Sequence, residues 1–193
     1  MSDKKRSVPK DLSSFGESES YFAKSAIPTD IHAVKRTITM AGSYIHNQDI
    51  TFILVTGGSG TITVNGLDYP LKTNMLINLS PFHVYRFTPS KGHSLDIVQS
   101  GMNSGTYLYL IANPYYKMRT FSIPSEPIIV ELSGLYKDIG FQAMQGLLSE
   151  CGKDDKYAKS LCFCYMTDLF GLINNKHKKK PTDNTVVQNS GTV

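Results

Sequence analysis

Apolar and polar residues alternate in short runs through the middle of this 193-residue chain and shift to three- and four-residue spacing only towards its end. From Val34 to about Phe121 the runs are rich in β-branched and aromatic residues and are broken at close intervals by turn residues, the pattern of a sandwich or barrel. Thr51 to Thr56 and Thr61 to Val64 flank Gly57-Gly58-Ser59-Gly60, which reads as a hairpin loop. Asn65-Gly66 then turns the chain into Leu67-Asp68-Tyr69, because both residues tolerate the positive φ of a type I′ turn. Further strands are expected at Met75 to Leu79, Val84 to Thr88, Ser94 to Ser100 and Thr106 to Ala112. Pro70, Pro81, Pro89 and Pro114 fall between these runs, as they must if the strands are internal to a sheet.

After Pro124 and Pro127 the period lengthens. Ile139, Ala143, Leu147 and Cys151 predict a helix from Leu135 to Cys151, although Gly140 and Gly146 each weaken it by about 1 kcal/mol relative to Ala. A second helix is predicted from Asp155 to about Lys176, with Asp154 as N-cap and lysines 176, 178, 179 and 180 suiting the negative end of its dipole. It carries two apolar seams, Cys162/Tyr165/Leu169/Leu172 and Phe163/Met166/Phe170/Ile173. Neighbouring seams lie about 100° apart on a helix, so the arc is too broad for one shallow contact. Either both seams sink into the chain's own core, or one faces a partner; the arc width favours the second, with Phe163, Met166, Phe170 and Ile173 as the subunit face.

Around this centre, residues 1–33 are polar and unpatterned and read as an arm, and 181–193 read as a linker or tail. The barrel then occupies 34–124 and the helical segment 125–180. No apolar run approaches the roughly 18 residues of a membrane span, and no hydrophobic signal core follows Lys4, Lys5 and Arg6, so a cytoplasmic protein without membrane partners is expected. The net charge is +4, but its placement matters more. Residues 1–36 hold seven basic and five acidic side chains, 37–175 hold nine and ten, and four lysines lie between 176 and 180. The folded body is therefore slightly acidic, unlike a nucleic-acid-binding surface, where counterion release needs clustered positive charge. The three cysteines, Cys151, Cys162 and Cys164, read as buried thiols of a reducing compartment. Cys162 and Cys164, two apart on a helix, point in different directions and form neither a metal pair nor a redox pair.

The stretch TFILVTGGSGTITVNGLDYPLKTNMLINLSPFH, Thr51 to His83, resembles the cupin superfamily barrel in the version found in N-terminal sensor domains of AraC-type transcription regulators. The glycine turn at Gly58 and Gly60, the hairpin followed by Tyr69-Pro70-Leu71, and a strand leading through Pro81 to His83 carry the likeness. Two C-terminal helices after a proline-containing connection fit the same layout. The fold it implies is mainly β: a double-stranded β-helix or jelly-roll barrel followed by two α-helices, over about residues 35–177.

Metal-dependent cupins use three histidines and a glutamate. Here the glutamate position falls near Thr51, the histidine pair reduces to His46, and His83 takes the later position. Two imidazoles without a carboxylate are a poor metal site. His46 and His83 thus stand as effector contacts, metal ligands or ordinary polar residues of the barrel mouth. Strand alternation adds Ile53 and Val55 to Thr51, and Tyr85 and Phe87 to His83, as an effector lining; the same residues could equally fill a small barrel. No nucleophile with a base, paired carboxylates or cofactor fingerprint is present. The Gly57–Gly60 run lacks the Gly-Lys-Ser/Thr ending of a phosphate loop.

The resemblance implies a non-enzymatic sensor that binds a small-molecule effector, a sugar or other metabolite, in the barrel and forms a homodimer through its second helix. DNA would be read by a C-terminal domain with two helix-turn-helix motifs. Only 13 residues follow Lys180, so the chain is expected to be a sensor-domain fragment or truncated regulator. The competing expectation is a small metal-dependent cupin enzyme, an oxygenase or sugar isomerase, with His46 and His83 as ligands.

Overall fold

The computed structural model describes residues 30–112 and 126–177. The expected arm up to residue 29, lysines 178–180 and the tail at 181–193 lie outside these residues. Within them the chain forms β1 (Ile31–Ile38), β2 (Ile45–His46), β3 (Ile50–Val64), β4 (Leu67–Lys72), β5 (Met75–Leu79), β6 (Val84–Pro89), β7 (Leu95–Met102), α1 (Ser104–Ala112), β8 (Ile128–Glu131), α2 (Leu135–Glu150) and α3 (Lys156–His177).

Two antiparallel sheets share the long strand β3. Its first half, Ile50 to Val55, lies between β5 and β7 in a sheet ordered β1-β7-β3-β5-β8. Its second half, Gly60 to Val64, lies between β4 and β6, with β2 on the far side of β6. The glycine run is therefore not a hairpin loop. β3 passes straight through it, with a register shift between Val55 and Gly57, and so crosses from one sheet to the other. Gly58 has φ 78°, and a Cβ there would collide with the Ser94 carbonyl oxygen; at Gly60 a Cβ would stand 2.6 Å from the Thr88 oxygen. Glycine serves close approach of two backbones at a barrel corner rather than chain reversal. The reversal comes next, at Asn65-Gly66, both at positive φ between the paired residues Val64 and Leu67, as expected.

Four other expectations are corrected. Thr106 to Ala112 is helical, because the Asn103 side chain accepts from the Thr106 N–H at 2.7 Å and caps α1, so that Tyr107 and Leu110 turn into the core; local capping and burial override β propensity. Pro70 sits inside β4 opposite Thr61, which an edge strand tolerates because the missing N–H faces away from the ladder, and Pro89 is the last residue of β6, opposite Gly60. Asp155, not Asp154, caps α3: its Oδ1 accepts from the N–H groups of Tyr157 and Ala158 at 2.8 and 2.9 Å. Asp154 instead pairs with Lys159. Finally, β1 begins at Ile31, and β8, an Ile-Ile-Val run directly after Pro127, adds a strand where only a change of period was read.

Alternation along the shared strand divides the apolar residues between two cores. Ile53 and Val55 point into the barrel with Ile62, Val64, Ile77, Leu79, Tyr85, Phe87, Leu95 and Ile97. Phe52 and Leu54 point the other way, where α1, α2 and α3 cover the sheet. Phe170 of α3 meets Phe52 edge-on at 4.8 Å and also contacts Tyr107. The two helical glycines allow close packing: a Cβ on Gly146 would run into the Tyr165 ring, and one on Gly140 would lie 2.6 Å from Leu132.

This packing corrects the proposed subunit face. Met166, Phe170 and Ile173 are fully buried in the chain's own core, as are Leu169 and Leu172, and Phe163 is half-buried. Both seams lie inside the domain, because α3 packs against α2 and β8 and shares its core with α1 and the sheet, so several elements together cover its wide apolar arc. The exposed strip of α3 is Tyr157, Ser160, Cys164 and Asp168. Among the described residues, no helix is long and apolar enough to cross a membrane.

Candidate functional site

Most of the barrel interior is hydrocarbon, but one end is polar. The register places His32 of β1 opposite Gly101 of β7, Gly101 opposite Thr51 of β3, and Thr51 opposite Leu79 of β5. These residues share the inward face with Gln99 and Ile97. A Cβ on Gly101 would lie 2.6 Å from the His32 ring, so the glycine makes room for the imidazole.

Asn47 ties this end together. Its amide donates to the carbonyls of Asp49 and Ser80 at 2.6 and 2.9 Å, while its Oδ1 accepts from the Thr51 hydroxyl at 2.8 Å. The main chains of Asn47 and His83 are joined by an N–H to O bond of 2.8 Å. His83 Nδ1 accepts from the Ser80 N–H at 3.2 Å, which orients the ring. Deeper in, Gln99 approaches the Tyr85 hydroxyl at 3.4 Å. His32, Asn47, Thr51, Ser80, His83 and Gln99 are all buried, an unusual density of polar side chains for the inside of so small a barrel.

Burial sets the charge states. His32 is pushed down to about 4 by desolvation and is neutral at pH 7. Its Nδ1 stands 3.9 Å from Asp49, too far and with too little proton affinity for an ion pair near neutrality. Asp49 is pushed up by burial and by the negative charge of Asp30. Asp30, the first described residue, is anchored by the Asn103 amide at 2.9 Å, so the chain enters the barrel at this same polar end.

The sequence-derived lining is partly assembled here. Thr51 and His83 belong to the polar end, whereas Ile53, Val55, Tyr85 and Phe87 pack the apolar interior beyond it. His46 does not join them. It pairs with Val84 on β2 and is exposed, while His83, one residue before Val84, is buried on the opposite face. The two imidazoles therefore do not converge, and no cluster of three or more His, Cys, Asp or Glu suited to a metal ion occurs among the described residues. Sequence reasoning missed His32, Asn47, Ser80 and Gln99. Gln99 carried a readable signal, a polar residue at an inward position of an apolar strand. Asn47 looked like an ordinary turn residue, and His32 fell within the supposed arm.

The architecture is a cupin-like barrel with two C-terminal helices packed on one sheet, as the resemblance implied. It matches solved structures of ToxT from Vibrio cholerae. An apo variant aligns with a TM-score of 0.58 at 7% identity, over 77% of this chain and 57% of ToxT. Wild-type ToxT bound to an unsaturated fatty acid aligns with a TM-score of 0.51 at 9% identity, over 76% and 55%. The complex with (E)-4-(8-methylnaphthalen-1-yl)but-3-enoic acid gives 0.51 at 9%, over 76% and 57%. The chain thus spans little more than half the length of ToxT, and at these identities the likeness is one of fold. No protein-family model and no curated protein sequence matches the chain.

Proposed function

We propose that this chain is the effector-sensing part of an AraC-type transcription regulator, acting in the cytoplasm, and that a small molecule binds at the polar end of the barrel. The observation that carries this reading is the concentration of buried hydrogen-bonding side chains at one end of an otherwise apolar interior. Such a mixture, apolar walls with a few convergent polar groups, is what small-ligand sites use for affinity and orientation. ToxT, which shares the fold, is an AraC-family regulator, and its structures with an unsaturated fatty acid and with a naphthalenyl butenoic acid support a ligand-binding role for this architecture.

The effector is a neutral, hydroxyl-bearing metabolite of the sugar class. The amide hydrogens of Asn47 are spent on Asp49 and Ser80, but its Oδ1 and the Thr51 hydroxyl oxygen keep acceptor capacity and His32 is neutral, so the hydroxyls of a polyhydroxyl compound can donate here without an uncompensated charge. The role is binding rather than catalysis. The protein acts as a homodimer through the exposed strip of α3, and DNA is read by a separate C-terminal domain. The arm preceding Asp30 responds to the effector. An effector that prefers one arrangement shifts it by its differential affinity.

Calorimetric titration with a panel of monosaccharides and an unsaturated fatty acid tests the reading. A sugar should bind the wild type and lose at least tenfold affinity in Thr51→Val and Gln99→Leu. Fatty-acid binding alone, weakened by the same changes, would replace the sugar assignment and keep the sensor. Binding of neither class, or affinities untouched by both substitutions, would contradict the site.

A further inference from the structure

The three cysteines were read from sequence as buried thiols, yet Cys164 is exposed and Cys151 only half-buried, and the fold brings Cys151 and Cys162 together. Cys151 closes α2 and Cys162 lies in the second turn of α3; both are free thiols, and their sulfurs are 3.7 Å apart. We propose that Cys151 and Cys162 form a reversible redox pair, a modification site at which an intramolecular disulfide staples the end of α2 to the start of α3.

The turn between the helices holds the sulfurs facing each other. The Cys151 N–H donates to the Leu147 carbonyl at 2.9 Å, Lys153 N–H donates to Glu150 O at 3.2 Å, and the Lys153 ammonium grips the Glu150 carboxylate at 2.8 Å. On the other side Asp155 caps α3. A disulfide needs a sulfur separation of about 2.05 Å. The remaining closure of about 1.7 Å is within reach of a χ1 rotation at Cys151. That residue has extended backbone (φ −60°, ψ 134°), outside the helical range that restricts rotamers. The two thiols share one hydrogen bond in which either sulfur can be the donor. Cys164 is exposed on another face of α3 and does not compete.

The oxidant is a small-molecule disulfide of the glutathione kind. Cys151, the more accessible sulfur, gives its proton to solvent and attacks one sulfur of that molecule, expelling the other half as a thiolate and forming a mixed disulfide. Cys162 then loses its proton and attacks Cys151 Sγ, forming the Cys151–Cys162 bond and releasing the second half as a thiolate. Two protein thiols are oxidised, one small disulfide is reduced to two thiols once the released thiolates take up the two protons, and no other co-reactant is required.

The full chain equilibrated in graded mixtures of oxidised and reduced glutathione decides the matter. Free thiols should fall from three to one, with the peptides of Cys151 and Cys162 joined in digests and the chain still of single-chain mass under non-reducing conditions. Closing this short loop should raise Tm by roughly 5–10 °C. Cys164→Ser should behave like the wild type with one thiol fewer, whereas Cys151→Ser, Cys162→Ser and the smaller change Cys162→Ala should show neither the crosslink nor the rise in Tm. Persistence of three thiols in folded protein, or a stable glutathione adduct on Cys151, would overturn the proposal.

Discussion

His32 is a buried imidazole held neutral by the barrel, and that makes acid stability a sharp probe of the polar end. In the unfolded chain its pKa is the ordinary 6.5, and in the fold burial lowers it to about 4. Between these values the unfolded state binds the extra proton, so stability is fully present above pH 6.5 and is lost as pH falls towards 4. The loss from this one group is about 2 kcal/mol at pH 5 and about 3 kcal/mol at pH 4. Asp49, raised by burial and by Asp30, acts with the opposite sign and partly offsets it in the wild type. The contribution of His32 is isolated by comparing the wild type with His32→Gln, which keeps a polar side chain and removes the titration. In urea melts from pH 7.5 to 4.5 the stability of the variant relative to the wild type should rise by about 2 kcal/mol on acidification. Parallel stability curves for the two proteins would show that His32 is not held neutral in the barrel.

Other outcomes follow from particular contacts. Asp155→Ala should cost about 1 kcal/mol by removing the α3 cap, while Asp154→Ala should stay within about 0.5 kcal/mol, in thermal or urea unfolding; the reverse order would restore Asp154 as the cap. Phe170→Ala should cost about 3–5 kcal/mol at every protein concentration, because the ring belongs to the intramolecular core; a loss seen only in dimer dissociation would return it to a subunit interface. Gly58→Ala should destabilise by more than 2 kcal/mol in urea melts, since the Cβ meets the Ser94 carbonyl at a positive φ, and a neutral result would contradict the strand crossing described here. Phe82, at φ 74° with its side chain 83% exposed, stores backbone strain, so Phe82→Gly should be neutral or stabilising by up to about 1 kcal/mol, and a clear loss would refute the strain.

Much of the fold was legible because its signals are local. The Asn65-Gly66 hairpin, the strands at Met75 and Val84, and helices α2 and α3 announce themselves within a few residues. What failed depends on distant neighbours. Gly57 to Gly60 looks like a turn until Ser94 and Thr88 are brought against it, and Thr106 to Ala112 looks like a strand until Asn103 caps it over Phe170. The broad apolar arc of α3 was seen correctly and assigned to the wrong neighbour, since only the folded chain shows α2, α1 and the sheet covering it together. The site followed the same rule. Thr51 and His83 were found through the positions the cupin resemblance assigns, and alternation added only their apolar neighbours, whereas Asn47 and Ser80 become polar anchors only because the loops before β3 and after β5 meet. The Cys151 and Cys162 sulfurs, eleven positions apart, meet only when α2 and α3 fold back on each other.

The polar end as the ligand site is tested most directly by the histidine signals in NMR during titration with a monosaccharide that binds the protein. Of five histidines, His32 and His83 are buried in the barrel and His46 and His93 are exposed. Saturable shifts of the His32 and His83 ring signals with His46 and His93 unmoved is the predicted result. Saturation of the site with the His32 and His83 signals unchanged would place the ligand elsewhere and contradict the account.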